Sequence, residues 1–412
     1  MSAFVVVLAL WAAGCGDGNG GQTQQTDPPA SDPSGETSVS VESTNPTPPR
    51  APSTVADVDA TSDPTILLDE ARETYGAPGA MAYVDVGGAP LFGASGAADL
   101  EGAELTPTTR FRIASVTKPV VAFLVVDAVN RGELSLDDVV SGYVGEPLRP
   151  EPPITVRMLL DHTSGVFNVG DEGDLAADID ALTDPELKAQ ALDLGARYLA
   201  GEPVRMTAEL YVALAETHER YAAPGEDHHY SNPNYQLAVI VLEEATGSSF
   251  DELLRTRLVE PLGLEHTTTA PADSGIPEMH GYMPDATTGE LTDQTDAFLT
   301  LGNGGSGGVI STPEELFRIM HAIVAGDLLP PALAADMKDA TLQSNLEYGL
   351  GLGRYDLSCG TFYGHQGLVS GTQSIALISD ENSAGVVLVF NLVDDSDPGL
   401  LALAESMVCS GT

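Results

Sequence analysis

The chain has 412 residues, 61 of them acidic and 17 basic, for a formal charge of −44. That surplus excludes a phosphate-neutralising nucleic-acid binder and a basic patch for anionic lipid, and it is read as a charge that keeps the protein soluble. With 42% apolar residues, the length allows two domains or one large domain carrying an insertion.

The first fifteen residues, MSAFVVVLALWAAGC, hold an apolar run from Ala3 to Ala13. A bilayer span takes about 20 residues, so this run has the form of an export signal. Ala12-Ala13-Gly14-Cys15 resembles a bacterial lipobox, which implies lipidation at Cys15 and anchoring at the cell envelope. It departs from that pattern in two ways: no basic residue precedes the apolar run, and Ala12 stands where leucine is usual. Residues 16–62 are rich in Gly, Thr, Pro, Ser and Asp and are expected to form a disordered tether.

The folded domain is expected over 63–412. Residues 64–75 have helical spacing, and AMAYVDV (80–86) and APLFGASG (89–96) flank Gly87-Gly88 as a β-hairpin. Near the other end, YGLGLGRYDL, TFYGH, TQSIALISD and GVVLVFNLV read as three or four antiparallel strands, followed by a helix in GLLALAESMV. The pattern predicts an α/β (α+β) fold. An antiparallel β-sheet flanked by helices comes from about 63–114 and 295–412, with an inserted, mostly helical subdomain at about 115–294. The acidic run DEGDLAADIDALTD (171–184) is read as a solvated face of that insertion. Export permits oxidation, so Cys359 and Cys409 could pair or stay reduced.

Chemistry concentrates in FRIASVTKPV (111–120), which holds Lys118, one of only three lysines. Pro119 is tolerated only near a helix start, so the helix through VVAFLVVDAVNRG begins close to Ser115. Ser115 then sits at the amide end, and Lys118 lies one turn on along the same face. A hydroxyl with an amine in reach is an arrangement that activates a serine nucleophile, although a serine–lysine pair at this spacing is short enough to arise by chance. Tyr230-Ser231-Asn232 occupies a turn leading into a helix in PGEDHHYSNPNYQLAVIVLEEATG (224–247). Its tyrosine could relay the serine's proton and its amide could hold substrate and lysine; equally, the turn could be a cap with a packed ring. His365-Gln366-Gly367 reads as a strand start, where the glycine would let a substrate approach the edge. Free lysine titrates near 10.4 and tyrosine near 10, so either could act as base once its surroundings lower that value. Asp227, His228 and His229 are adjacent on a turn and lack metal-ligand spacing, so no metal is expected.

FRIASVTK, LLDHTSGV, PGEDHHYSNPNYQL, VEPLGLEHTT, GGSGGVISTPEEL and GHQG, all collinear, resemble the serine hydrolases related to class C β-lactamases and D-alanyl-D-alanine carboxypeptidases, over roughly residues 65–395. The resemblance implies a cleft between the sheet and the helical part, with Ser115 as acylated nucleophile and Lys118 as its partner. Tyr230 would relay protons, Asn232 would orient substrate, and His365 would take a place often held by lysine. The oxyanion hole would use the amides of Ser115 and Leu368, with Gln366 and Gly367 beside the substrate. It implies no cofactor, a monomer, and a small peptide or ester substrate such as a peptidoglycan stem peptide. The departures are the mostly neutral His365, and Gln366 and Leu368 where relatives that bind a substrate carboxylate have hydroxyls; Arg354 could supply the missing cation. The expected activity is of the D-alanyl-D-alanine carboxypeptidase type. The alternatives are a carboxylesterase, a β-lactamase, or a penicillin-binding protein that does not turn over.

Overall fold

The structure is a computed structural model that describes residues 63–144, 152–169, 175–199, 206–269, 278–285, 287–295, 304–339, 347–394 and 399–409. The expected signal with Cys15 and the tether at 16–62 lie outside the described residues.

Helix α1 (Thr65–Tyr75) leads into a hairpin, β1 (Gly79–Asp85) and β2 (Leu91–Gly96), that turns through Gly87-Gly88. Short strands follow in mid-chain: β3 (Phe111–Arg112), β4 (Thr268–Thr269), β5 (Tyr282–Pro284), β6 (Leu291–Asp293) and β7 (Val309–Ser311). The last strands are β8 (Gly353–Leu357), β9 (Gly360–Val369), β10 (Thr372–Ser379) and β11 (Gly385–Phe390). Five further helices bear on the site: α2 (Thr117–Asn130), α3 (Val156–Leu160), α4 (Asn232–Thr246), α5 (Pro313–Ala325) and α6 (Leu400–Cys409).

The main sheet has six strands in the order β2-β1-β11-β10-β9-β8. Its pairings are antiparallel, and the first and last parts of the chain meet in it, with Ala80 opposite Phe390 and Asp85 opposite Gly385. Side chains alternate between faces along a strand, and β11 shows what each face meets. Val386, Leu388 and Phe390 join Leu68 of α1 and Leu400, Ala404 and Met407 of α6 in one apolar cluster. Val387 and Val389 join Leu316, Phe317 and Met320 of α5 in the other. Every residue of β11 is buried, as a run of GVVLVF requires of a strand covered on both sides. The mixed α/β architecture with an antiparallel sheet flanked by helices is therefore present.

Helix α2 is buried from Thr117 to Ala128. A helix apolar on all sides belongs in a core, and α2 packs between α4 and α5. Residues 282–284 and 291–293, inside the expected helical insertion, form β5 and β6 instead; Tyr282 bridges Leu392 and packs with the sheet cluster of α1 and α6. In the acidic run, Asp178 is buried rather than solvated, because His218 Nε2 lies 2.8 Å from its carboxylate. His365-Gln366-Gly367 reads as a strand start, yet β9 runs unbroken through the glycines on either side of His365 and places it in mid-strand. They mark close approach: a Cβ on Gly364 would stand 1.9 Å from the Ala376 carbonyl oxygen, and one on Gly367 2.5 Å from that of Ile113.

Cys359 and Cys409 form a disulfide that ties the end of α6 to the turn between β8 and β9. The bond closes a loop of 50 residues, long enough to remove much conformational freedom from the unfolded chain. Replacing both cysteines by serine is expected to lower the unfolding free energy by roughly 2–4 kcal/mol in urea titrations, with little change in the folded sheet.

Candidate active site

Ser115 is presented by a local turn. Ala114, just before it, has φ of 53°, a left-handed conformation that is uncommon for a residue with a Cβ and disfavoured by about 1–2 kcal/mol. Residues 114–116 make a single 3-10 turn, and the α-helix proper starts at Thr117, slightly later than the proline suggested. The turn is held from outside: the Ile113 N–H donates to the Val309 carbonyl at 3.1 Å, and the Val309 N–H donates to Thr117 Oγ1 at 3.2 Å.

Lys118 is fully buried, and its ammonium donates to three oxygens from three segments. They are Ser115 Oγ at 3.0 Å, Asn232 Oδ1 at 2.8 Å and the Ser306 carbonyl at 3.0 Å. Ser306 lies in GGSGG (304–308), where a Cβ on Gly305 would come within 2.3 Å of the Tyr235 carbonyl oxygen. Only a loop of glycines fits this closely over α4 and carries a carbonyl to the amine. Tyr230 approaches from the other side, with Oη 3.1 Å from Ser115 Oγ and Lys118 Nζ 4.8 Å from its ring centre. Asn232 opens α4, and its N–H donates to Asn168 Oδ1 at 2.9 Å. Ser231, between them, donates through Oγ to the Phe167 carbonyl at 3.4 Å.

His365 stands behind this group, with its ring centre 6.2 Å from that of Tyr230. Its hydrogen bonds go to the Gln366 carbonyl, through Nδ1, and to Tyr348 Oη at 3.0 Å, through Nε2. The bonds of Ser115 Oγ go instead to Lys118 and Tyr230. Burial, and then the charge of Lys118, push the His365 imidazole down to about 3. It is therefore neutral at physiological pH. With its one proton given to the Gln366 carbonyl, Nε2 accepts from Tyr348.

Gln366 is exposed on β9. Gly367 presses on the Ile113 carbonyl and Ala114. Leu368 pairs with Gln373, next to the hairpin-closing pair Val369–Thr372, so its N–H points away from β10. Arg354 is ion-paired with Glu347 and Asp356. His228 packs against His162 and Tyr348 while His229 stacks on Tyr221, so these neighbouring imidazoles do not converge. Sequence reasoning passed over Ser306, Asn168, His162 and Tyr348. The glycine run was a signal for Ser306; Tyr348 had none.

The β-lactamase family model matches residues 66–405. Esterase EstB of Burkholderia gladioli is 28% identical over 66% of this chain and 71% of its own length. The D-aminopeptidase of Brucella anthropi is 31% identical over 52% of this chain, and the D-alanyl-D-alanine-carboxypeptidase/endopeptidase AmpH of Escherichia coli K12 is 26% identical over 58%. The matched region spans 37% and 54% of those two proteins. The solved D-stereospecific amidohydrolase from Streptomyces sp. superimposes with a TM-score of 0.69 at 27% identity, over 85% of this chain and 98% of that one. On a family match that takes in nearly all of the described fold and every residue of the site above, the chain belongs to the β-lactamase family of serine hydrolases.

Proposed function

We propose that the protein forms an acyl-enzyme at Ser115 and hydrolyses amides of D-amino acids at the bacterial cell envelope, held there by a lipid on Cys15. The observation that carries this is the contact of one serine hydroxyl with an amine at 3.0 Å and a phenol at 3.1 Å. Lys118 is read as an ammonium whose charge, 4.8 Å from the Tyr230 ring centre, favours a phenolate there. The proton of Ser115 therefore passes to Tyr230 as phenolate while Oγ attacks the substrate carbonyl carbon. The oxyanion is received by the amides of Ser115 and Leu368. Tyr230 then gives the proton to the leaving nitrogen as the C–N bond breaks; a water, deprotonated by the same phenolate, attacks the ester carbon, and Tyr230 returns that proton to Ser115 Oγ as the C–O bond breaks. Asn232 holds both Lys118 and the substrate's own amide.

His365 is neutral and Arg354 is ion-paired, so neither of these two offers the β9 edge a free cation for a substrate carboxylate. That favours amides over the strict D-alanyl-D-alanine carboxypeptidase reaction. The relatives named as D-aminopeptidase and D-stereospecific amidohydrolase support the same preference. Ester hydrolysis is the second reading; it uses the same acyl-enzyme and is supported by the similarity to an esterase over two thirds of the chain.

Ser115→Ala is expected to abolish acyl-enzyme formation, read as mass gain after incubation with D-alanine amide, penicillin and a p-nitrophenyl ester. Tyr230→Phe should slow acylation by about 10²–10⁴-fold, and His365→Ala by much less, since its bonds do not reach the serine. Equal, complete loss in all three variants would contradict these roles.

The substrate reading is checked by kcat/KM for D-alanine amide against D-alanyl-D-alanine. A preference of about tenfold or more for the amide is expected, and the reverse order would restore the carboxypeptidase assignment.

His365 also sets a pH dependence. Its folded value, about 3, lies below the usual 6.5, so its contribution to stability is complete above pH 6.5 and is lost as pH falls towards 3. Wild type should lose up to about 1.4 kcal/mol per pH unit across that window relative to His365→Gln, measured by urea unfolding at pH 7.5 and pH 5.

A further inference from the structure

We propose that His162 is a positioning residue that fixes the Tyr230 phenol against Ser115 by holding the backbone on both sides of it. The inference rests on the reading above that Tyr230 carries the serine's proton. The carbonyl of His162 accepts the N–H of His229 at 2.9 Å, and its ring Nδ1 accepts the N–H of Ser231 at 3.2 Å. One residue thus pins the 228–229 and 230–231 peptide units, on either side of Tyr230. Its ring also lies against the phenol, with centres 4.4 Å apart.

The arrangement is built for that purpose at some expense. His162 is fully buried and adopts φ of 60°, a left-handed conformation that brings its carbonyl and its Nδ1 to the same strip of backbone. Nδ1 also accepts from Asn234 Nδ2 at 3.2 Å, and Ser164 fixes that amide's orientation by donating to Asn234 Oδ1 at 2.6 Å. Two donors on Nδ1 put the ring proton on Nε2, which has no hydrogen-bond partner and is enclosed by the rings of Tyr235, Tyr348 and His228. Burial first, and the neighbouring His228, Lys118 and His365, hold the imidazole well below its usual range, so Nδ1 stays an acceptor. A buried ring with an unpartnered N–H contributes less to stability than an apolar side chain would. Its retention here is explained by what Nδ1 holds.

The test separates the acceptor atom from the ring. His162→Asn keeps an oxygen near the place of Nδ1 and tolerates the left-handed backbone, but loses the ring. His162→Phe keeps a ring and loses the acceptor, leaving the Ser231 N–H unpaired. The full chain is assayed with p-nitrophenyl acetate, reading the pre-steady-state burst of p-nitrophenolate together with kcat and KM. His162→Phe should slow the burst by about 10- to 100-fold with KM within about threefold, because a small misplacement of a reacting group weakens catalysis without removing binding. His162→Asn should recover most of that loss. In a Tyr230→Phe background, His162→Phe should add almost nothing, as expected of two residues acting through one group. Should His162→Phe fail to fold, His162→Gln makes the same test, since its amide falls near Nε2 and leaves the Ser231 N–H unpaired.

A folded variant lacking the acceptor that keeps a normal burst overturns the proposal while leaving the role of Tyr230 intact. So does an undiminished loss in the Tyr230→Phe background. A normal burst in Tyr230→Phe alone removes the proton-relay reading, and this inference with it.

Discussion

A lysine ammonium with no exposure to solvent is the constraint around which the site is organised. Leaving such a charge without partners inside a protein is disfavoured by several kcal/mol, so its N–H groups must be met by fixed oxygens. Here they come from the 3-10 turn before α2, from the first residue of α4 and from the glycine loop before β7. The last two lie 114 and 188 residues from Lys118 in sequence, and the buried charge obliges the fold to bring them together. Satisfying Lys118 therefore assembles the serine and the amide in one step, and the phenol needs only to be aimed at what has been assembled.

The aiming is done by a second layer of polar contacts running between residues 162–168 and 221–232. The carbonyls of His162, Thr163 and Gly165 take the N–H groups of His229, Gly225 and Tyr221, and Asn168 takes that of Asn232. The 221–232 segment lacks regular structure before α4, so these bonds replace the ladder a strand would have supplied. A loop templated in this way can place one side chain accurately without being part of a sheet. On the opposite wall, the antiparallel register of β9 and β10 orients Leu368 outward, and the absence of a side chain at Gly367 lets that edge close on Ile113 and Ala114. Helix, loop and strand each contribute one component, and none could supply the others.

Much of this was legible in the residues. Apolar runs such as GVVLVF made the strands legible, because the sheet is covered on both faces by helices. The serine and lysine were legible because proline restricts where α2 can begin, and three-residue spacing on a helical turn brings side chains together. Gly367 was read as room for a substrate, and only the backbone of Ile113 beside it shows that the space is taken up by the protein itself. Asp178 misled for a related reason: a carboxylate in an acidic run looks solvated until its partner, His218, forty residues on, is seen beside it. His162 was visible within a motif but without a role, because its contribution lies in backbone bonds that no side-chain pattern records.

The electrostatics of the cleft and of the whole molecule point the same way. At −44, the protein presents a field that repels carboxylates until salt screens it, over about 8–10 Å at physiological ionic strength. A peptide with a free C-terminal carboxylate would have to overcome that field and then find, at β9, a neutral imidazole instead of a cation. An amino-acid amide carries an ammonium and no carboxylate, so the same field draws it in. Lys118 does not reverse this balance, since its charge is fully buried and spent on Ser115, Asn232 and Ser306. The acidity that by composition alone meant only solubility thus joins the neutral His365 and the ion-paired Arg354 in support of the proposed choice of amide over acid.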